Sequence, residues 1–292
     1  MNVAVIGGTG KLGFPVALAL QSSGMDVSIF TRDAQKSATE FGGRFKYVEC
    51  DVLSPESVEK QLVGYDAVHI NLAGVSKQQC LETVAGGTRN IVSASKKNGV
   101  GLISFISGCT VSPENIGFYD IQAKYEAEQA IKNSGIPYLI FCPTWFMESL
   151  PQFVQEKRAS VFGPTTQPIH WVAVADYAQQ VAQAYMDTDI RNKRLFIHGP
   201  EAIPLKDALA QYLKIGDIPL NVTHTPYWMA TVLKWITGDA SIRYAADLSQ
   251  YFEAVGEQGD PREAHGLLGK PSMTLDMWCE NHFVEGKIAV AS

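Results

Sequence analysis

Apolar and polar positions along the chain fall into a repeating pair, a short run rich in Val, Ile, Leu and Phe followed by a longer stretch with helical periodicity. The short runs are VAVIG, DVSIF, KYVEC, AVHINLA, GLISFIS, PYLIFC and, further on, RLFIHG. Strands alternating with helices predict a parallel sheet covered by helices on both faces, where strands read as continuous apolar runs. The helix ends are also legible. Ser54 before Pro55 offers an N-cap and an N1 proline to PESVEKQL. CLETVAGGTRNIVSASKKNG runs out in Lys, Asn and Gly, as a helix C-terminus does.

This alternation is expected to hold to about Pro143 and then to loosen. VFGPTTQPIHWVAVADYAQQVAQAY mixes loop, short strand and helix, and Asp176 in it is expected to N-cap the helix that follows. The aromatic-rich YWMATVLKWI and YAADLSQYFEAV read as helices, with no strand expected in the last ~70 residues. The division predicted is a nucleotide-binding sheet domain over 1–150. Residues 151–292 supply the remaining sheet elements and a small, mainly helical substrate lobe within one structural unit.

Composition narrows the partners. At 292 residues and 46% hydrophobic content the chain buries a full core, and its net charge of −6 gives no basic patch for nucleic acid or anionic lipid. A small molecule is the expected ligand. Cys50, Cys80, Cys109, Cys142 and Cys279 lack CxxC spacing and are expected to be buried, reduced thiols. The chain opens directly on NVAVIGG and contains no apolar run near ~18 residues, so a cytoplasmic protein with no membrane span is expected.

The first strand leads into GGTGKLG, where Gly7, Gly10 and Gly13 stand three apart between a strand and a helix, with Thr9, Lys11 and Leu12 between them. Glycines allow a tight turn and let backbone approach a pyrophosphate, while the helix N-terminus turns its N–H groups toward the anion. A dinucleotide is therefore the expected cofactor, in a doubly wound Rossmann-type α/β fold. After the second strand, where an acid would bond the ribose 2′-hydroxyl of NAD, FTRDAQK places Arg32 first. A guanidinium suits a 2′-phosphate, so NADP is expected; Asp33 behind it keeps NAD possible.

Strand C-termini line the ligand crevice of such sheets. Asp51 and Val52 after the third strand, and Asn71, Leu72 and Ala73 after the fourth, are thus placed toward adenine and ribose, although Asp51 equally suits a turn cap.

GGTGKLG, the TRD after the second strand, CDV, GTRNIVSASKKNGV before GLISFIS, and AKYEAEQAIKNSGIPYLIFCPTWFMESL together resemble the short-chain dehydrogenase/reductase superfamily. The atypical, NmrA-like NAD(P)H-binding branch is the most similar. The resemblance implies phosphate-binding roles for Gly7, Gly10 and Gly13, a 2′-phosphate role for Arg32 and an adenine-side role for Asp51 and Val52. It also places Ser107 beside the nicotinamide, Lys124 on its ribose with Glu128 four residues on, and Pro143 near the carboxamide. Cys142 stands where many relatives carry arginine.

One departure bears on chemistry: with Lys124 as the family lysine, the position of the catalytic tyrosine holds Asp120. Tyr119 is five residues from Lys124, about 140° around a continuous helix, too far to share a substrate. If Asp120 N-caps a helix beginning at Ile121, Tyr119 lies on a loop and stays a candidate proton donor.

His170, in QPIHWVAVAD, is the histidine expected to reach the nicotinamide, whereas His69 alternates within a strand and suits the core. No HxxxH or HxH spacing occurs, so no metal site is expected. Trp145, Phe146 and Met147, with Tyr227, Trp228 and Trp235, suit either an apolar pocket or the core of the C-terminal lobe; taken singly, core is the expectation, and Trp145 and Phe146 are the pocket candidates. The reading these features support is an NADP(H)-binding oxidoreductase for a small apolar or aromatic acceptor such as a quinone or carbonyl compound. A non-catalytic NAD(P)-binding regulator or assembly factor is the alternative. Third stands a nucleotide-sugar epimerase or reductase, which needs the tyrosine that Asp120 displaces.

Overall fold

In the computed structural model, all seven predicted apolar runs form one parallel sheet. Its strands are β1 (Asn2–Ile6), β2 (Asp26–Thr31), β3 (Lys46–Glu49), β4 (Ala67–Ile70), β5 (Leu102–Ile106), β6 (Tyr138–Pro143) and, after three short strands, β10 (Lys193–Ile197). The backbone is described for residues 1–155, 157–238 and 240–291, and side chains among these through 284. The order across the sheet is β10-β6-β5-β4-β1-β2-β3, with every pairing parallel. The direction of winding reverses between β1 and β4, which opens the crevice above their C-terminal ends.

Helices bury the two faces. On one face α1 (Gly13–Ser22) packs against α7 (Val174–Met186), closing a core around Val5, Leu20, Ile29, Phe141, Val181 and Leu195. On the other, α3 (Pro55–Gln61), α5 (Gly87–Asn98) and α6 (Tyr119–Lys132) cover Ile6, Val68, Ile103, Phe105 and Ile140. The end signals behave as read: Ser54 Oγ accepts from Ser57 N with Pro55 at the first helical position, and α5 stops at Gly99 with φ 70°. Between β2 and β3 lies α2 (Ala34–Phe41), and α4 (Lys77–Gln79) continues through a π-turn, Cys80–Gly86, into α5.

The C-terminal lobe has its own core. Strands β7 (Val154–Gln155), β8 (Arg158–Phe162) and β12 (Val222–Thr225) form a small sheet, and β9 (Pro168–His170) pairs antiparallel with β11 (Ala202–Pro204). Helices α8 (Leu205–Ile215), α9 (Tyr227–Thr237), α10 (Ala240–Val255), α11 (Arg262–Leu268) and α12 (Leu275–Ala291) complete it. Leu150, Val161, Trp171, Leu209, Tyr212 and Trp278 meet at its centre.

Four expectations are corrected. β12 lies within the tail where no strand was expected, and its partly exposed Val-Thr-His-Thr run explains why no apolar signal marked it. Asp176 is not an N-cap: α7 begins at Val174 after Ala173, and Asp176 Oδ2 accepts from Ser272 N (2.7 Å) and Met273 N (2.9 Å). Nor is Asp120, because α6 begins at Tyr119 after Phe118. Trp228 and Trp235 are not core; they stand 67% and 86% exposed on α9. Among the described residues no helix is long and apolar enough to cross a membrane. All five cysteines are buried and unpaired.

Candidate active site

The glycine loop is a steric necessity at two points. Gly7 has φ 76°, and a Cβ there would lie 2.0 Å from Asn71 O; a Cβ on Gly13 would lie 2.3 Å from Gly7 O and 2.8 Å from Asn71 Nδ2. The turn closes through Gly10 N donating to Gly7 O (3.1 Å), and α1 starts after Leu12 with no acidic residue in its first turn. Its positive end is left without a carboxylate of its own, which is what a pyrophosphate requires. Thr9, Lys11 and Leu12 follow the loop, Lys11 exposed. Asn71 N donates to Ile6 O (2.9 Å), tying the end of β4 to the loop, while Leu72 and Val52 pack against α5 where Gly87 leaves no room for a side chain. Ala73 is exposed beyond them.

Arg32 and Asp51 lie on the walls of one open groove of about 670 Å³, with Glu49, Cys50, Glu56 and Lys60. Asp33 is occupied as the N-cap of α2, its Oδ1 accepting from Lys36 N (2.8 Å). Asp51 also serves a turn, Oδ1 accepting from Leu53 N (2.9 Å).

Above β5 and β6 two carboxylates organise the site. Lys124 Nζ meets Asp120 Oδ2 at 3.1 Å, one helical turn away, and lies beside Gly108. Burial pulls the lysine pKa down, but Asp120, with Cys80 and Cys109 behind it, outweighs that and leaves the pKa above the ordinary lysine value. The position of the family tyrosine therefore holds the counter-ion of the lysine.

Glu128, 2% exposed, accepts from Ser107 Oγ (2.6 Å) and Lys132 Nζ (2.8 Å) and pairs with Arg194 Nε at 3.0 Å. Ser107 directly follows β5, with its hydroxyl donated to Glu128. Arg194 also donates to Val111 O (2.7 Å) and lies 4.7 Å over the Phe196 ring. Pro143 closes β6, its carbonyl accepting from Cys109 N (3.0 Å).

Tyr119 does not join this group. It is on the first turn of the continuous helix α6, packed against Phe118 and Tyr244. Burial first, then Asp247, Cys80 and Asp120, push its hydroxyl up to about 12, a poor acid near neutrality.

Aromatic side chains gather beyond the ends of β6 and β9. Trp145 meets Trp171 and Phe252 edge-on, Phe146 meets Tyr177, and both are half-buried. His170 is held by Glu257, whose Oε2 accepts from His170 N (2.7 Å) and whose Oε1 bonds Nδ1 (2.5 Å). The same Oε1 lies 3.1 Å from His198 Nδ1, and the two imidazoles stack 5.4 Å apart. The next residue, Gln258, accepts from Asn115 Nδ2 at 3.0 Å, so this loop after α10 reaches the crevice. Burial lowers the His198 pKa, with Glu257 opposing. His69, by contrast, is fully buried in the sheet and bonded to Ser104 (2.7 Å).

Sequence reasoning missed Asp120 as the counter-ion of Lys124, Glu128 as a hub, and Arg194, His198 and Glu257. The four-residue spacings Asp120 to Lys124 and Glu128 to Lys132 were visible helix-pair signals; Arg194, His198 and Glu257 carry none, because their partners are distant in sequence.

A doubly wound sheet with a pyrophosphate-ready glycine turn at the N-terminus of α1 defines a dinucleotide-binding protein. A model of the NAD(P)H-binding family matches residues 7–187, and the chain belongs to that family. It is 24% identical over 208 residues to an NAD(P)H azoreductase of Xenophilus azovorans, covering 69% of each chain. An NADPH-dependent quinone oxidoreductase of Escherichia coli, solved with NADPH, superposes with a TM-score of 0.78 at 21% identity, covering 96% of this chain and 99% of that one. A nucleoside-diphosphate-sugar epimerase of Staphylococcus aureus gives 0.80 at 19% identity, covering 96% and 100%.

Proposed function

We propose that the protein is an NADPH-dependent reductase that delivers hydride to a small apolar or aromatic acceptor of the quinone or azo class, acting in the cytosol. The observation that carries this reading is the Asp120–Lys124 ion pair where relatives with alcohol chemistry hold tyrosine and lysine. Asp120 is paired with Lys124 and Tyr119 is a poor acid, so neither stands ready to protonate an alkoxide, and the acceptors that suit the site draw their protons from water. The azoreductase and quinone oxidoreductase likenesses support the same class.

NADPH, when bound, supplies the hydride. The loop at Gly7, Gly10 and Gly13 and the N-terminus of α1 hold its pyrophosphate, and Arg32 meets its 2′-phosphate. Asp51, Val52, Asn71, Leu72 and Ala73 line the adenine and ribose side. Lys124 orients the nicotinamide ribose, Ser107 and Pro143 flank the ring, and Trp145 and Phe146, with His170 at the rim, exclude water from the acceptor. Arg32 and Lys60 bring positive charge to the groove, against Glu49, Asp51 and Glu56. The preference for NADPH therefore rests on the fork of Arg32, since Asp33 is occupied as a cap.

NADPH consumption with quinones, azo compounds, aldehydes and enones tests the reaction. Turnover on quinone or azo acceptors that persists in Tyr119→Phe is expected. Intact NADPH binding without turnover on any acceptor overturns it and leaves a cofactor-sensing regulator, the reading favoured by the neutralised Lys124. Arg32→Ala is expected to lower the NADPH over NADH affinity ratio by about 10- to 100-fold, the worth of a charge-assisted contact. An unchanged ratio removes Arg32 from cofactor choice.

A further inference from the structure

We propose that His170, His198 and Glu257 hold a divalent first-row transition cation, zinc being the ion their chemistry suits, as a clasp between the C-terminal lobe and the sheet. The three ligating atoms, one from each residue, lie within 4.8 Å of one another. They come from three separate places: the end of β9, the residue after β10, and the loop after α10. Two imidazoles and one carboxylate are the protein ligands of a common class of zinc site that keeps a position open.

The partners of His198 give the second argument. Nε2 faces Gln258 O at 3.3 Å and Nδ1 faces the Glu257 carboxylate at 3.1 Å, so both ring nitrogens meet groups that only accept, and a cation on Nδ1, a proton or a metal ion, satisfies the Glu257 side. A backbone carbonyl on the far nitrogen is also the outer contact that orients metal-bound histidines.

The two separations to Glu257 are near those a metal needs. Tetrahedral ligands at 2.0–2.1 Å from zinc stand about 3.3 Å apart. The His198 to Glu257 separation of 3.1 Å nearly meets this, and the His170 to Glu257 separation of 2.5 Å must open by about 0.8 Å as the proton leaves Nδ1. The His198 and Glu257 side chains are 7% and 10% exposed, whereas His170 is 40% exposed, so the cluster is closed behind and open to solvent in front. This runs against the expectation of no metal site, since ligands so far apart in sequence have no recognisable spacing.

The test uses the full chain, stripped with chelator and titrated with Co²⁺, whose visible absorption reports coordination number, followed by displacement with Zn²⁺. One equivalent of Co²⁺ in a four- or five-coordinate spectrum is expected. At Zn²⁺ a hundredfold above its Kd, Tm should rise by about 4 °C. His198→Ala and Glu257→Gln should abolish the spectrum. His170→Gln changes a solvent-facing side chain and keeps the fold, and should weaken Co²⁺ binding at least about tenfold. No spectrum and no Tm change, or a spectrum that survives both His170→Gln and Glu257→Gln, overturns the proposal. So does nitrogen NMR showing His198 doubly protonated in the stripped protein and unchanged by Zn²⁺.

Discussion

Replacing Glu128 by glutamine keeps the side-chain shape and removes one negative charge from a site facing two cations. Removing one partner of a buried ion pair costs about 3–5 kcal/mol. Here the cations are 28% exposed at Lys132 and 23% at Arg194, so water screens part of the loss. Arg194 also keeps its bond to Val111 O and its stacking on Phe196. The expected cost is therefore about 2–3 kcal/mol. With about 2.1 cal/mol/K of unfolding entropy per residue, 292 residues give about 0.6 kcal/mol/K, and Tm should fall by about 3–5 °C. Urea unfolding of Glu128→Gln, Arg194→Met and the double variant measures it, and the double should lose less than the sum of the singles by at least about 1 kcal/mol. A loss below about 0.5 kcal/mol in Glu128→Gln, or simple additivity, would show that Glu128 does not organise this corner of the site.

Two further outcomes follow from the same geometry. Gly13→Ala drives a Cβ to 2.3 Å from a backbone oxygen, so NADPH binding by fluorescence titration should be lost and stability should fall by about 1–3 kcal/mol; near-normal affinity would mean that the turn has slack. His69 is buried neutral with its pKa held down to about 3, so the unfolded chain takes up a proton near 6.5 before the folded one does. Its contribution is complete above pH 6.5 and declines by about 1.4 kcal/mol per pH unit as pH falls toward 3, a slope that His69→Gln should flatten in urea titrations at pH 7, 6 and 5.

The sheet was legible because its central strands, β1, β4, β5 and β6, are apolar runs buried on both faces, and the glycine turn because its spacing follows from sterics. The small strands were not: β9, β11 and β12 span three, three and four residues, with no alternation long enough to read. The start of α6 was misplaced because its N-cap, Phe118, has no capping side chain, whereas Asp120 two residues later is the kind of residue that caps. Lys124 was found through resemblance, and its counter-ion was missed because the reading sought a tyrosine there. His170 was singled out, but its partners Glu257 and His198 are 87 and 28 residues away and meet it only through the packing of the lobe on the sheet.

The place of β10 in the sheet order has a consequence for how the chain reaches this state. Tyr138–Pro143 pairs with β5 on one side and with Lys193–Ile197 on the other. A nascent or truncated chain ending near residue 150 would present Tyr-Leu-Ile-Phe-Cys as an open, apolar sheet edge, the kind that recruits strands from other chains. The polypeptide has to carry on for some fifty residues past β6 before that edge is capped. The tail that bears Glu257 comes later still, so the nucleotide half is expected to be protected from aggregation before the lobe that completes the crevice is made.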